Sequence, residues 1–319
     1  MNGLRTARAY GDLLALLIGG VLVLAGAAWF GLWHPSTARL DEDIHKAYAV
    51  PVPPNTGVVH WVFDHIDAGP ILLVTFACAV AALVQRQLRL TLAIPAFTGT
   101  ALWLNDYLKA SVFERSPGTP MVPLSLPSGH TTAGLVLAVG LVFALPRVAR
   151  PLGSLVGGFV AGAVGIGVLA WQWHRPSDVV ASCGVVLALA GIALAAAARY
   201  TSRPRARAAG FDLAVGHPAL GVVGAGLAFW RWWAGGVHPL PGSRAHTLFF
   251  GTAAVVCVVI GVTVGLCAVA ADRHLLPGST WWPTRTRPAQ PPAGPPAGGS
   301  PAGGQTAGGQ TAPARKGAA

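Results

Sequence analysis

The chain has 319 residues, of which 53% are hydrophobic and only 10% charged, and its mean hydropathy is +0.56. Soluble domains run near one-quarter charged, so this composition excludes a soluble globular protein and points to the membrane. The net charge of +11 invites a nucleic-acid-binding reading, but the cations are spread loop by loop and not gathered on one soluble face, which excludes it.

Hydrocarbon about 30 Å thick takes roughly 20 apolar residues per helix. Stretches of that kind fall near 13–33, 69–85, 92–113, 131–146, 152–173, 177–198, 217–234 and 247–271. The expected fold is all-α, a polytopic membrane helix bundle of eight spans. The first span follows Arg5 and Arg8. Its apolar run exceeds the roughly 7–15 residues of a secretory signal, so it reads as an uncleaved anchor despite the Ala-Gly-Ala-Ala stretch at 25–28. The connection 34–68 is long and acidic, with Asp41, Glu42, Asp43, Asp64 and Asp67 against Arg39 and Lys46. It carries Pro51, Pro53 and Pro54 and then an apolar-aromatic stretch from Val58 to Phe63. Two readings stay open for it: a short helix or plug over the site, or an ordinary surface loop. In the span 217–234, Arg231 and three tryptophans crowd the end, as in an interfacial belt.

Residues 1–199, with six spans, hold every motif described below. Residues 200–272 hold a basic linker and two further spans. From 273 to 319 the chain is rich in Pro, Gly and Ala, with Ala-Gly-Gly-Gln-Thr repeated from 302 and 307. A tail of that composition cannot bury a core and is expected to be disordered. The cysteines Cys78, Cys183, Cys257 and Cys267 lie inside apolar spans without metal-ligand spacing and read as small buried hydrophobes.

Orientation follows from the arginines. With a cytoplasmic N-terminus, the inside segments hold Arg5 and Arg8, Arg86 and Arg89, Arg147 and Arg150, and then Arg199, Arg203, Arg205 and Arg207. The loops 114–130 and 174–176 then share the outer face. The expected location is the cell (plasma) membrane, multi-pass, with both termini cytoplasmic. The composition, with many Ala, Arg, Gly and Pro but three Lys, suggests a GC-rich bacterial source and a cell-envelope setting.

Within the first six spans sit polar groups that a lipid-facing bundle otherwise excludes. Phosphate-ester cleavage needs a nucleophile, an acid for the leaving oxygen, and cations or N–H groups to hold the phosphoryl charge. His174 ends one span and Asp178 opens the next, with Pro176 suited to the first helical position. A spacing of four puts His174 and Asp178 on one helical face, where the carboxylate orients one imidazole nitrogen and leaves the other free. By itself that spacing equally describes an ion pair sealing a turn. Pro127-Ser128-Gly129-His130 precedes an apolar run from Thr131. There a helix N-terminus offers unpaired N–H groups to phosphate, Gly129 admits close approach, Ser128 adds a hydroxyl, and His130 stands ready as an acid. Ser128 is also a natural helix cap. Lys109 and Arg115 lie at the outer end of the third span, as a phosphate clamp or as snorkelling interfacial cations. Asp106 is a potential ion-pair partner one turn before Lys109.

Together these residues resemble the type 2 phosphatidic acid phosphatase (PAP2) superfamily, membrane lipid phosphatases related to the vanadium haloperoxidases. Its pattern has a Lys followed by an Arg-Pro pair, then Pro-Ser-Gly-His, then Ser-Arg followed by a His and an Asp with three residues between. The resemblance implies a six-helix core and a hydrolase of phosphoric monoesters or diphosphates that uses no metal and no cofactor. By it, His174 is the nucleophile that becomes phosphohistidine, Asp178 orients it and His130 protonates the leaving group. Lys109, Ser128 and Gly129 bind the phosphate. The implied substrate is a lipid phosphate, such as phosphatidic acid, phosphatidylglycerol phosphate or a polyprenyl phosphate or diphosphate.

Two departures stand out. Arg115 comes one residue early, with Ser116 before Pro117, and the Ser-Arg pair is replaced by Gly167 and Val168. Arg115 reaches the phosphate if its segment adjusts, and Arg175 is the nearest substitute for the missing arginine. Losing one charge-assisted contact costs at most a few kcal/mol. The departures also support a second reading, a catalytically weak or inactive lipid-phosphate-binding membrane protein. A transporter is disfavoured because the ionisable groups gather at one interface and do not line a path through the midplane.

Overall fold

The computed structural model describes residues 2–48, 65–66, 68–113, 126–198 and 243–275. Among these the expected all-α bundle is found, with eight helices and no strand. Helix α1 (Asn2–Ala28) runs on through a π-helical turn at Trp29–Trp33. It is followed by α2 (Pro35–Ala47), α3 (Ala68–Val84), α4 (Leu88–Ser111), α5 (Gly129–Ala144), α6 (Arg150–Ala170), α7 (Pro176–Ala197) and α8 (Arg244–His274). The expected span 217–234, the basic linker, the tail beyond Leu275, the Pro51–Phe63 stretch and Arg115 with Ser116 and Pro117 lie outside the described residues.

Proline and serine set the helix starts. Pro35 and Pro176 occupy first positions, where a missing N–H is harmless. Ser128 caps α5 by accepting the Thr131 N–H on Oγ. Among the described residues, four helical segments are long and apolar enough to cross a membrane: Tyr10–Trp33, Arg150–Ala170, Pro176–Ala197 and Thr247–His274. The chain is thus a membrane protein; seven of the eight expected spans fall among the described residues, and each is a helix there. α3 and α5 are apolar but only 17 and 16 residues long, about 25 Å at 1.5 Å per residue. The 24-residue α4 contains Arg89, Asn105, Asp106 and Lys109, which set it apart from the four. The long acidic connection contains a real helix, α2, so the plain-loop reading fails for its first half.

Small residues bring the first and seventh helices into backbone contact. A Cβ on Gly184 would stand 2.6 Å from Leu24 N, and one on Gly191 would stand 2.8 Å from Leu13 O. Such close approach drives helix association where lipid leaves no hydrophobic effect between helices. Around this pair, α4, α5, α6 and α8 enclose a core that includes Leu135, Val139, Leu169, Val186, Leu194 and Ile260. The four cysteines are buried and free.

Side-chain contacts sort the helix ends. At one end Gln85 Nε2 donates to Ala144 O at 2.6 Å, Arg89 to Ala198 O at 3.3 Å, and Arg273 to Asp12 at 2.8 Å. Arg150 joins Asp272 there at 2.8 Å and also donates to the carbonyls of Leu145 and Ala271. The other end gathers α2, the end of α4 and the starts of α5 and α7. The bundle therefore separates an arginine-rich end from the end that holds the motifs.

Candidate active site

The site is built where α5 and α7 begin side by side. Ser128 N donates to Asp178 O at 3.0 Å, and Ser182 Oγ donates to Ser128 O at 2.9 Å. The first bond uses the Ser128 N–H, which the α5 start would otherwise leave without a partner. The two bonds bring Pro127-Ser128-Gly129-His130 against the His174–Asp178 turn, as a joint site requires. Ser128 and Asp178 are fully buried, while His130 and His174 are half-buried.

His174 Nδ1 lies 3.2 Å from Asp178 Oδ2, so the four-residue spacing does bring the pair together. The same carboxylate oxygen accepts the Arg175 backbone N–H at 2.9 Å. Asp178 therefore caps its own helix and holds the imidazole with one atom. The turn that delivers His174 passes through Gln172 at φ 55°, a left-handed conformation unusual for a residue with a side chain. His130 faces Trp173, with ring centroids 5.2 Å apart and tilted by 46°. Trp171 stacks beyond it at 6.0 Å. These tryptophans make one wall of the site, which the motif reading had not singled out.

Lys109 approaches from α4. A Cβ on Gly129 would stand 3.2 Å from Lys109 Nζ and 3.7 Å from Asn105 Nδ2. Glycine therefore leaves the space at which the ammonium and amide are aimed. Asn105, one turn before Lys109, anchors this arrangement: its Oδ1 accepts from Thr132 Oγ1 at 3.0 Å, and its Nδ2 donates to Asp106 at 3.1 Å. Sequence reading missed Asn105, although a buried amide one turn from Lys109 in an apolar helix is a visible signal.

Arg175 is turned away from that space. Its guanidinium forms an ion pair with Glu42 of α2, and the side chain is buried. Val168, at the position of the pattern's arginine, is fully buried among apolar side chains. Of the two substitutes expected for the arginine clamp, Arg115 lies outside the described residues and Arg175 is engaged by a carboxylate.

α2 supplies a second carboxylate that sequence reading counted only as a mark of an outer loop. Asp41, fully buried, accepts the Ser177 N–H on Oδ1 at 3.1 Å and the Ser177 hydroxyl on Oδ2 at 2.6 Å. Burial, opposed by the Ser177 hydrogen bonds, pushes its carboxyl from the ordinary 3.8 up to about 7. His45 of the same helix is held below its ordinary range by burial and by the nearby Arg175 charge.

A family model described as the PAP2 superfamily matches residues 71–204. Residues 71–204 belong to the PAP2 superfamily. The match covers α3 to α7 and all the described motif residues, and leaves α1, α2 and α8 outside it. Membership supports a phosphatase-type activity for this PAP2 region. The chain matches no curated protein and no solved structure.

Proposed function

We propose that this protein is an outward-facing membrane phosphatase that hydrolyses a lipid phosphate or diphosphate, phosphatidate-like or polyprenyl, through a phosphohistidine intermediate. The observation that carries the reading is the 3.2 Å pair of His174 Nδ1 and Asp178 Oδ2 beside the Gly129 space. An ionised carboxylate only accepts, so it keeps the proton on Nδ1 and leaves Nε2 with the lone pair for phosphorus. Nε2 attacks, the phosphorus–oxygen bond to the lipid breaks, and His130 gives its proton to the departing oxygen. Water then attacks the phosphohistidine, losing a proton to His130 and releasing phosphate and free His174. Lys109, the Ser128 and Gly129 backbone at the α5 start, and Arg115 carry the phosphoryl charge. No step calls on a metal or a cofactor.

The outer location of the site rests on the arginine distribution, which gathers Arg86, Arg89, Arg147 and Arg150 at the opposite end of the helices. A substrate with its tail in the bilayer meets the site at that surface.

One observation favours the second reading, a lipid-phosphate-binding protein with little turnover. Arg175 is committed to Glu42, so the described residues offer Lys109 alone as a cation beside the Gly129 space. The two readings part on phosphate release from a panel of lipid phosphates, measured on the purified protein with EDTA present. Release by the wild type with loss in His174→Ala and Asp178→Ala is expected; undiminished release in His174→Ala sinks the hydrolase. A folded wild type that binds phosphatidate but releases nothing across the panel favours the binder.

A further inference from the structure

The seven-residue turn from Gln172 to Asp178 is held from outside by one face of α2. Gln172 Nε2 donates to His45 O at 2.9 Å, Arg175 pairs with Glu42, and Ser177 gives both its N–H and its hydroxyl to Asp41. Positions 41, 42 and 45 fall on one side of a helix, so a single face makes all four contacts. α2 is itself fixed to α8. Tyr48 Oη donates to Phe249 O at 3.0 Å, and Arg244 pairs with Asp43 at 3.0 Å.

The contact with Ser177 has the form of a helix cap supplied by another helix. The N-cap residue of α7 is Arg175, whose side chain makes no cap bond, and Pro176 has no N–H. The first free N–H of α7 belongs to Ser177, and Asp41 takes it. A carboxylate at this place also meets the positive end of the helix dipole. Gly31, in the π-helical turn, leaves the room: a Cβ there would collide with Ser177 Oγ and stand 3.3 Å from Asp41 Oδ2. A buried carboxylate is costly to keep unless its bonds do something a neutral residue elsewhere would not.

We propose that α2 is a positioning strap for the nucleophile: Asp41, assisted by Glu42 and the His45 carbonyl, fixes residues 172–178 so that Asp178 holds His174 in the attacking orientation. The proposal rests on the phosphatase reading for its kinetic consequence and on geometry alone for its structural one. Asp41 and Glu42 act through Ser177 and Arg175 and touch no reacting atom. They also lie outside the matched residues 71–204, so this chain supplies the strap from beyond its PAP2 region.

The test uses the full chain in lipid nanodiscs, with p-nitrophenyl phosphate and dioctanoyl phosphatidic acid as probes. Asp41→Ala is expected to lower kcat about 10- to 100-fold with KM within about twofold, because orientation and not binding is lost. Asp41→Asn recovers most of it, since its Oδ1 accepts the Ser177 N–H and its Nδ2 donates to the Ser177 hydroxyl. The second readout is the ring-nitrogen NMR shifts of His174, which report whether Nδ1 stays bonded to Asp178. They move in Asp41→Ala and return in Asp41→Asn. Wild-type kcat in Asp41→Ala, or His174 shifts unchanged in that variant, overturns the strap. If His174→Ala proves as active as wild type, the phosphatase reading falls and the NMR comparison decides the strap by itself. Should Asp41→Ala fail to fold, Ser177→Ala removes only the 2.6 Å hydroxyl bond; about threefold lower kcat with displaced His174 shifts is expected, and no change in either readout overturns the proposal.

Discussion

The two ends of this bundle treat buried charge in opposite ways. At the arginine-rich end, Arg150 is buried and bonded to Asp272 and two backbone carbonyls, so a cation and an anion neutralise each other across α6 and α8. At the motif end the buried carboxylates Asp41 and Asp178 are held by groups of the α7 start itself. Asp41 accepts from a serine, and Asp178 accepts from a histidine and a backbone N–H. The first arrangement closes charge off and fastens helices. On the proposed reading, the second leaves a carboxylate available to orient a group that must react, as buried ionisable residues in membranes do at functional sites.

That contrast can be broken at either end. Arg150→Ala strands Asp272 and should cost about 3–5 kcal/mol, as loss of one partner of a buried pair does. Unfolding in denaturing detergent measures it, and kcat per folded molecule should stay near wild type because the site is at the far end. A loss of kcat equal to the loss of stability would mean that the ends are not separable. In the middle of the bundle, Gly184→Val forces a side chain to within 2.6 Å of Leu24 N and should cost about 1–3 kcal/mol as overpacking. Here activity should fall too, because displacing α1 displaces Gly31 from Ser177. Unchanged kcat at reduced melting temperature would show that α1 slides without disturbing the turn.

The smallest effect is a slope with pH. Asp41 holds its proton up to about 7 in the folded protein, whereas the unfolded chain releases it near 3.8. The extra stability from that proton is complete below about pH 4 and is lost as pH rises through about 7, at no more than about 1.4 kcal/mol per pH unit. The groups facing Asp41 are Asp178, which opposes its ionisation, and Arg175, which favours it. Asp41→Asn does not titrate, so its melting temperature relative to wild type should climb between pH 4 and pH 7. A constant difference over that range would show that the carboxyl is not perturbed in this way.

Local pattern made half of the site legible. His174 and Asp178 are one helical turn apart, Ser128 sits at a helix start, and Gly129 marks a close approach; each is a relation among neighbours in sequence. The helical class was equally plain, because 53% hydrophobic residues leave few alternatives. The apolar runs located the helices well: α3 and α5 fall within one or two residues of the runs 69–85 and 131–146, while the run read as α4 tolerates Asn105, Asp106 and Lys109. What pattern could not reveal is the strap. Asp41 and Ser177 are 136 residues apart, and nothing periodic links them, so the acidic cluster read as a topology signal. Arg175 failed for a related reason: adjacency to His174 says where its backbone is, while Glu42, far off in sequence, decides where its guanidinium goes.

The seam between α5 and α7 has one more consequence. With Ser128 N on Asp178 O, and Ser182 Oγ on Ser128 O, the starts of α5 and α7, which the proposed reading makes the phosphate cradle and the nucleophile's support, are joined to each other. A cleft that closes on its substrate needs its two jaws on different bodies. On the proposed reading, motion that admits or releases a substrate would therefore have to come from elements other than the α5 and α7 starts.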